Sequence, residues 1–319
     1  MAEKRALIVR LSSLGDVVLT SCLIAPLLEL GYRPHLLTFY PYGEVFAEDT
    51  RLQVIQVSKQ ELFQRETLKR LRGFDLYLDL QKNLRTFLLR LKLRGRWKSY
   101  SKESLRRRLA LYFPSLRKEY SVVRAYLRTV GYTHGRPHIR VSERTLKGWK
   151  ERLGENYVCI APGARYAKKR YPYFDKVAEL LEGKGYRVVW VGDRGDRELC
   201  KGWVGRNLCG ELPLREVPAL IAGAKLFLGN DSGLLHVARA VGTKAVQVYG
   251  GTHPTLGFAL EEDEGVYVLR GLYCQPCDLH GKGGCRLGEY PYPCLQIDPV
   301  VVFERALRLL PSYHPSRCP

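Results

Sequence analysis

Ala6-Leu7-Ile8-Val9-Arg10 is an apolar run of strand length; Leu11-Ser12-Ser13-Leu14-Gly15-Asp16 follows it, and Val17 to Leu30 then takes up a helical period. A short apolar run, a small-residue turn and an amphipathic stretch read as strand, loop and helix. The same order returns along the chain. His35 to Phe39 and Leu76 to Asp79 read as strands, and Asn83 to Leu93 as a helix. Strands separated by helices pair in parallel through crossovers. The pattern weakens in the Gly/His/Pro stretch between Gly131 and Pro137, which reads as a boundary. It restarts with strands at Tyr157 to Ile160, Arg187 to Val191, Leu226 to Gly229 and Ala245 to Tyr249. Helices at Tyr173 to Lys184, Leu214 to Ala222 and Leu234 to Val241 separate them. The expected fold class is α/β, with two doubly wound Rossmann-like domains in tandem, 1–145 and 146–319. The last helix, Val300 to Leu310, is free to pack back on the first domain. A length of 319 residues suits two domains.

In open α/β sheets, ligands bind where loops and helix N-termini converge at the carboxyl ends of the strands. Two such domains therefore imply a cleft between two sets of strand ends, and the informative loops all follow a predicted strand. In Leu11 to Asp16, backbone N–H groups at the start of the helix can face an anion. Asp16 is out of place in a pure phosphate loop, because a carboxylate repels phosphate. It reads either as a helix cap or as a general base at the cleft floor, beside Ser12, Ser13 and Gly15. Neither Gly-x-Gly-x-x-Gly nor Gly-Lys-Ser/Thr is present there, which disfavours ordinary dinucleotide and P-loop chemistry.

Ala161-Pro162-Gly163-Ala164 leads to Lys168-Lys169-Arg170 and then to Pro172 before a helix. Three cations at a strand end, next to a helix N-terminus, suit a diphosphate. Gly229-Asn230-Asp231-Ser232-Gly233-Leu234-Leu235-His236 repeats the strand–turn–helix order, and its Ser232 and Gly233 amides can face phosphate. His236, inside a helix, has a secondary role. Asp193 or Asp196, after another strand, can bind a ribose diol or can belong to a plain surface turn. Tyr249-Gly250-Gly251-Thr252-His253-Pro254 closes the next strand.

Composition narrows the partners. The chain carries 52 Lys and Arg against 32 Asp and Glu, a formal charge of +20. Such a charge suits nucleic acid, an anionic membrane or phosphorylated substrates. The excess is local: 15 cations lie between Lys82 and Arg128 against two acids, Glu103 and Glu119. One sign of charge over such a span does not make ion-pair networks, so the stretch reads as an anion-facing surface. No run approaches the roughly 20 apolar residues of a membrane-spanning helix. Met1 to Arg5 leads directly into a strand without a secretory signal, so a cytoplasmic chain is expected.

Taken together, these loops resemble glycosyltransferase family 9, the ADP-heptose:lipopolysaccharide heptosyltransferases. The carriers are Ser12-Ser13-Leu14-Gly15-Asp16, Pro162-Gly163-Ala164 with Lys169-Arg170-Tyr171-Pro172, Asn230-Asp231-Ser232-Gly233-Leu234 with His236, and Tyr249 to Pro254. The resemblance implies a GT-B fold, with the acceptor on the N-terminal half and the nucleotide sugar on the C-terminal half. It implies an inverting, metal-independent reaction that requires no cofactor. By position, Asp16 would be the base and Lys169 would hold the diphosphate. Asp231 would contact the transferred sugar, with Ser232, Gly233 and Leu234 shaping the phosphate pocket beside Ala164 and His236. Asp196 would bind the ribose and Leu212 would lie against the base. The family often has Trp where this chain has Tyr171. The implied partners are ADP-heptose, the lipopolysaccharide core and an anionic membrane surface. Arg106, Arg107 and Arg108 are the expected acceptor surface, on a chain peripheral to the inner membrane.

Cys274, Cys277, Cys285 and Cys294 cluster late in the chain. A structural staple, metal or disulfide, is expected there ahead of catalysis; the eight-residue gap in the second pair weakens zinc. A transferase of the same fold using another nucleotide sugar, or an epimerase, is the nearest alternative. A basic nucleic-acid-binding protein is the alternative of another class; Asp16 and Asp231 at strand ends disfavour it.

Overall fold

The computed structural model describes residues 3–310. The first half builds a parallel sheet from β1 (Lys4–Val9), β2 (Tyr32–Phe39), β3 (Gln53–Val57), β4 (Leu76–Asp79) and β5 (Trp97–Ser99), in the order β3-β2-β1-β4-β5. The second half builds another from β6 (Tyr157–Ala161), β7 (Arg187–Trp190), β8 (Arg206–Asn207), β9 (Leu226–Asn230), β10 (Ala245–Val248) and β11 (Gly265–Val268), in the order β11-β10-β9-β6-β7-β8. Every pairing is parallel. Helices cover both faces of such sheets, so central strands are buried: β6 and β9 are buried at every position.

In each half the strand order reverses once, between β1 and β4 and between β6 and β9, and these are the places where loops diverge and a crevice opens. Side-chain amides clamp both. Gln81 Oε1, just past β4, accepts from Leu11 N at 2.9 Å and Ser12 N at 3.2 Å. Asn230 Nδ2, at the end of β9, donates to Pro162 O at 2.8 Å and Gly163 O at 3.1 Å, and its Oδ1 accepts from Tyr171 N.

Strands β3, β5, β8 and β11 were not read from the sequence, and three further details differ. The first helix begins at Leu14, not Val17, so Asp16 lies within its first turn; a 3-10 segment, Thr20–Leu23, then links it to a second helix, Ile24–Glu29. The boundary at 145 falls inside the helix Glu143–Leu153, whose buried Trp149 and Leu153 face the second half and which packs on Val217–Ala222. The last helix, Pro299–Leu309, stays with the second half, where Val302, Phe303 and Ala306 pack against Phe174–Glu182 and β10. Its buried stripe fits that sheet face.

Among the described residues no helix is long and apolar enough to cross a membrane.

Candidate active site

The two reversal points face each other through two short helices. Leu14–Leu19 packs on Gly233–Ala240, and one apolar cluster runs from Ile8 and Val18 across to Leu235 and Val237. Glycine on each side permits the approach. A Cβ on Gly15 would stand 2.6 Å from His236 Cδ2, and one on Gly233 would meet the Leu14 side chain at 3.0 Å.

Asp16 is not a cap. Ser13 occupies the cap position without a side-chain cap bond and donates its hydroxyl to Asp16 Oδ2 at 3.0 Å instead. Arg10 Nη2 lies 2.7 Å from Asp16 Oδ1. Burial alone would raise the Asp16 carboxyl; the Arg10 guanidinium and the Ser13 hydroxyl outweigh it and hold the group below its ordinary value. Arg10 is itself buried at the end of β1, where it donates to Leu80 O and has Tyr100 and Tyr126 close by.

Across the interface, Asp231 follows β9 and sits in a closed set of donors. Lys169 Nζ lies 2.9 Å from its Oδ2, Thr252 Oγ1 donates to the same oxygen at 2.9 Å, and Gln247 Nε2 approaches Oδ1 at 3.4 Å. Burial pushes the Asp231 carboxyl up, and Lys169 and Thr252 more than reverse it. His236 is close enough to feel the charges of both Asp16 and Asp231. Burial, and then Arg239, lower it to about 4, so its ring is neutral near pH 7; its Nδ1 has no hydrogen-bond partner. A carboxylate of the first half and a lysine–carboxylate pair of the second thus lie on either side of one buried imidazole.

Residues 65–283 match the family described as glycosyltransferase family 9 (heptosyltransferase). The chain belongs to this family. It is 34% identical over 188 residues to lipooligosaccharide heptosyltransferase 2 of Haemophilus influenzae, a match covering 52% of each chain. It is 32% identical over 136 residues to lipopolysaccharide heptosyltransferase 2 of Salmonella typhimurium, covering 38% of this chain and 37% of that one. The chain thus spans about half or less of the length of these curated relatives. In structure it resembles Escherichia coli ADP-heptose lipopolysaccharide heptosyltransferase II, with a TM-score of 0.74 at 20% identity over 96% of this chain and 98% of that one. The fold is GT-B: two Rossmann-like units of parallel sheet facing across a cleft.

The other residues singled out from the family 9 sequence separate into those at the cleft and those elsewhere. Ser232 opens its helix without a side-chain cap bond, so the amides of Gly233 and Leu234 at the helix start are not capped by it. Asp196 accepts from Asp193 N at 3.0 Å within a capping box, and burial raises its carboxyl. The same carboxylate fills the space a Cβ on Gly163 or Gly192 would need, which places it between the loops after β6 and β7. Ala164 O accepts from Arg170 Nη2 at 3.1 Å, and Leu212 packs half-buried on the large apolar cluster. Lys168 is buried, with Nζ 3.6 Å from Cys277 Sγ.

Arg106, Arg107 and Arg108 do not form one surface. Arg106 is occupied by Glu103 and by Leu116 O at 3.2 Å. Arg107 is buried, 5.3 Å over the Tyr120 ring and 5.8 Å over Phe258 of the second half. Arg108 alone is exposed. One helical turn cannot aim three consecutive side chains in one direction.

No disulfide joins the late cysteines. All four are free thiols, and among the described residues no group of three or more His, Cys, Asp or Glu is placed to hold a metal. Cys277 Sγ donates to Gly251 O at 3.5 Å, Cys285 Sγ accepts from Leu287 N at 3.4 Å, Cys294 is buried, and Cys274 lies within electrostatic reach of Cys277 and Cys285. Their loop instead leans on the cleft. Gly251 N donates to Lys168 O at 2.7 Å, a Cβ on Gly281 would press on the Lys169 side chain, and His280 is within electrostatic reach of Asp16.

Sequence reasoning missed Arg10, Lys102, Gln247 and the bond from Thr252. Lys102, half-buried, has its ammonium lowered by burial and by Arg10, with Asp16 acting in the other direction. The one available signal was Arg10 itself, a charge closing an otherwise apolar strand.

Proposed function

We propose that this chain is an inverting, metal-independent heptosyltransferase that moves a heptose from ADP-heptose to the lipopolysaccharide inner core, with no cofactor required for catalysis. The observation that carries this reading is the meeting of Asp16 with the Lys169–Asp231 pair through His236 at two facing reversal points. A hydroxyl of the acceptor attacks the anomeric carbon from the side opposite the nucleotide. The carbon–oxygen bond to the diphosphate breaks, the hydroxyl proton passes to Asp16, and ADP leaves. A sugar hydroxyl is a poor nucleophile, so an oriented carboxylate helps as the bond forms. The departing diphosphate gains charge, which Lys169 and the amides of Gly233 and Leu234 stabilise more in the transition state than in the ground state. Asp231 orients Lys169 and the transferred sugar, Asp196 the ribose and Leu212 the base.

The reading places the donor on the second half and the acceptor on the first, beside Lys102 and Arg107 rather than on all three consecutive arginines. It places the chain in the cytoplasm, peripheral to the inner membrane, where the Lys82 to Arg128 cations meet anionic lipid at roughly 1 kcal/mol each. Turnover with ADP-heptose and a defined inner-core acceptor, set against UDP- and GDP-sugars, tests it. Product from ADP-heptose alone supports it. Equal use of a UDP-sugar, or salt-dependent RNA binding without turnover, overturns it.

A further inference from the structure

The helix Leu84–Lys92 wears its apolar stripe on the outside. Leu84, Phe87, Leu88 and Leu91 occupy the i, i+3, i+4 and i+7 positions of one face, and all are exposed, Leu84 at 71% and Leu91 at 66%. Thr86 and Leu89 are the buried residues. A surface helix ordinarily turns such a stripe to its own core. The helix Ser104–Leu109 and the turn after it do the same with Leu105, Tyr112 and Phe113, of which Tyr112 is 76% exposed. Lys82 and Lys102, just before the two helices, are within electrostatic reach of each other, and Lys102 is as much within reach of Asp16. Both helices therefore start near the acceptor side of the cleft.

We propose that this double apolar face inserts into the headgroup–acyl boundary of an anionic lipid bilayer. Exposed Arg85, Arg90, Lys92 and Arg94 sit beside the stripe, where they meet headgroup phosphates. Large exposed apolar side chains next to cations are the composition of an interfacial amphipathic helix. The same cations oppose a second copy of this chain on the stripe, because symmetric pairing would set like charges against one another. The inference rests on the membrane attachment proposed above and sharpens it: that reading needs charge alone, whereas this one requires the apolar side chains to leave water. An acceptor anchored in the bilayer would then be presented at the mouth of the cleft.

Salt separates the two. Near 1 M the Debye length is about 3 Å, so attraction by charge is screened while apolar insertion is not. The full chain is sedimented with vesicles of phosphatidylcholine and phosphatidylglycerol at about 0.1 M and about 1 M salt. The wild type stays largely bound at both. Combining Leu84→Ser, Phe87→Ser and Leu91→Ser lowers vesicle affinity on the order of a hundredfold. Thermal unfolding and turnover of a water-soluble acceptor analogue are unchanged. Equal binding by the variant, complete release of the wild type at high salt, or a lipid-free dimer that the variant dissolves would each overturn the inference. Turnover of the soluble analogue, which needs no vesicle, judges the catalytic reading separately.

Discussion

Arg10 Nη2 lies 2.7 Å from Asp16 Oδ1, and the two close the amino-terminal side of the cleft as a single unit. The guanidinium keeps the carboxylate ionised and fixes its direction, while Ser13 holds the other oxygen. Asp16→Asn keeps the shape and removes the proton acceptor. Turnover should fall on the order of a thousandfold, within the range of general-base effects. ADP affinity, measured by calorimetry, should stay near wild type. Equal loss of both would make Asp16 a structural partner of Arg10 and nothing more.

Arg10→Met tests the same pair from the other side. Without Arg10, the largest influence opposing burial is gone and the Asp16 carboxyl rises from its lowered value. The acid limb of the kcat profile should then move to higher pH. An unmoved limb, with turnover merely lowered, would show that Asp16 ionisation does not govern the rate.

Central strands were legible because burial on both faces makes them continuous apolar runs: the runs read at Ala6 to Arg10 and Tyr157 to Ile160 fall on β1 and β6 to within a residue or two. Edge strands were not. β3 reads Gln53-Val54-Ile55-Gln56-Val57, half polar, and β5 is only Trp97-Lys98-Ser99. Asp16, Lys169 and Asp231 could be singled out because each follows a strand, where ligands gather. Their partners could not: Arg10 looks like the last residue of β1, and Thr252 and Gln247 reach Asp231 only once β9 and β10 pair. The basic run was legible as charge. The outward stripe of Leu84 to Leu91 was not, because periodicity says which residues share a face and not which way it points.

Lys169 has two tasks that one substitution confounds. Lys169→Met should weaken ADP binding about tenfold or more, and it also leaves Asp231 buried without its cation, at up to about 3–5 kcal/mol of stability. Adding Asp231→Asn should restore much of the melting temperature and none of the ADP affinity. Unchanged ADP affinity in Lys169→Met would remove Lys169 from the donor site.

His236 makes stability fall with acid. Its folded pKa of about 4 lies below the ordinary histidine value of 6.5, so its contribution is complete above about pH 6.5 and is lost as pH falls toward 4. The full effect is on the order of 3 kcal/mol. Asp16 and Asp231, lowered from an already acidic value, act only below that window. His236→Gln should flatten the decline in melting temperature between about pH 6.5 and 4. An unchanged slope would assign the decline to other groups.

Gly15 sets how closely the halves meet. A Cβ there would stand 2.6 Å from His236 Cδ2, nearer than the two atoms can sit, and the imidazole is buried beside Phe258 with ring centroids 5.8 Å apart. Gly15→Ala must therefore push the helices Leu14–Leu19 and Gly233–Ala240 apart or displace the ring. Overpacking of this kind costs about 1–3 kcal/mol. If the donor lies wholly on the second half, ADP affinity should hold while kcat falls, because the widened gap separates Asp16 from the sugar. Gly15→Ala with His236→Ala removes the clash from both sides, and a double-mutant cycle should recover part of the stability. Purely additive losses would show that the Gly15–His236 approach does not set the spacing.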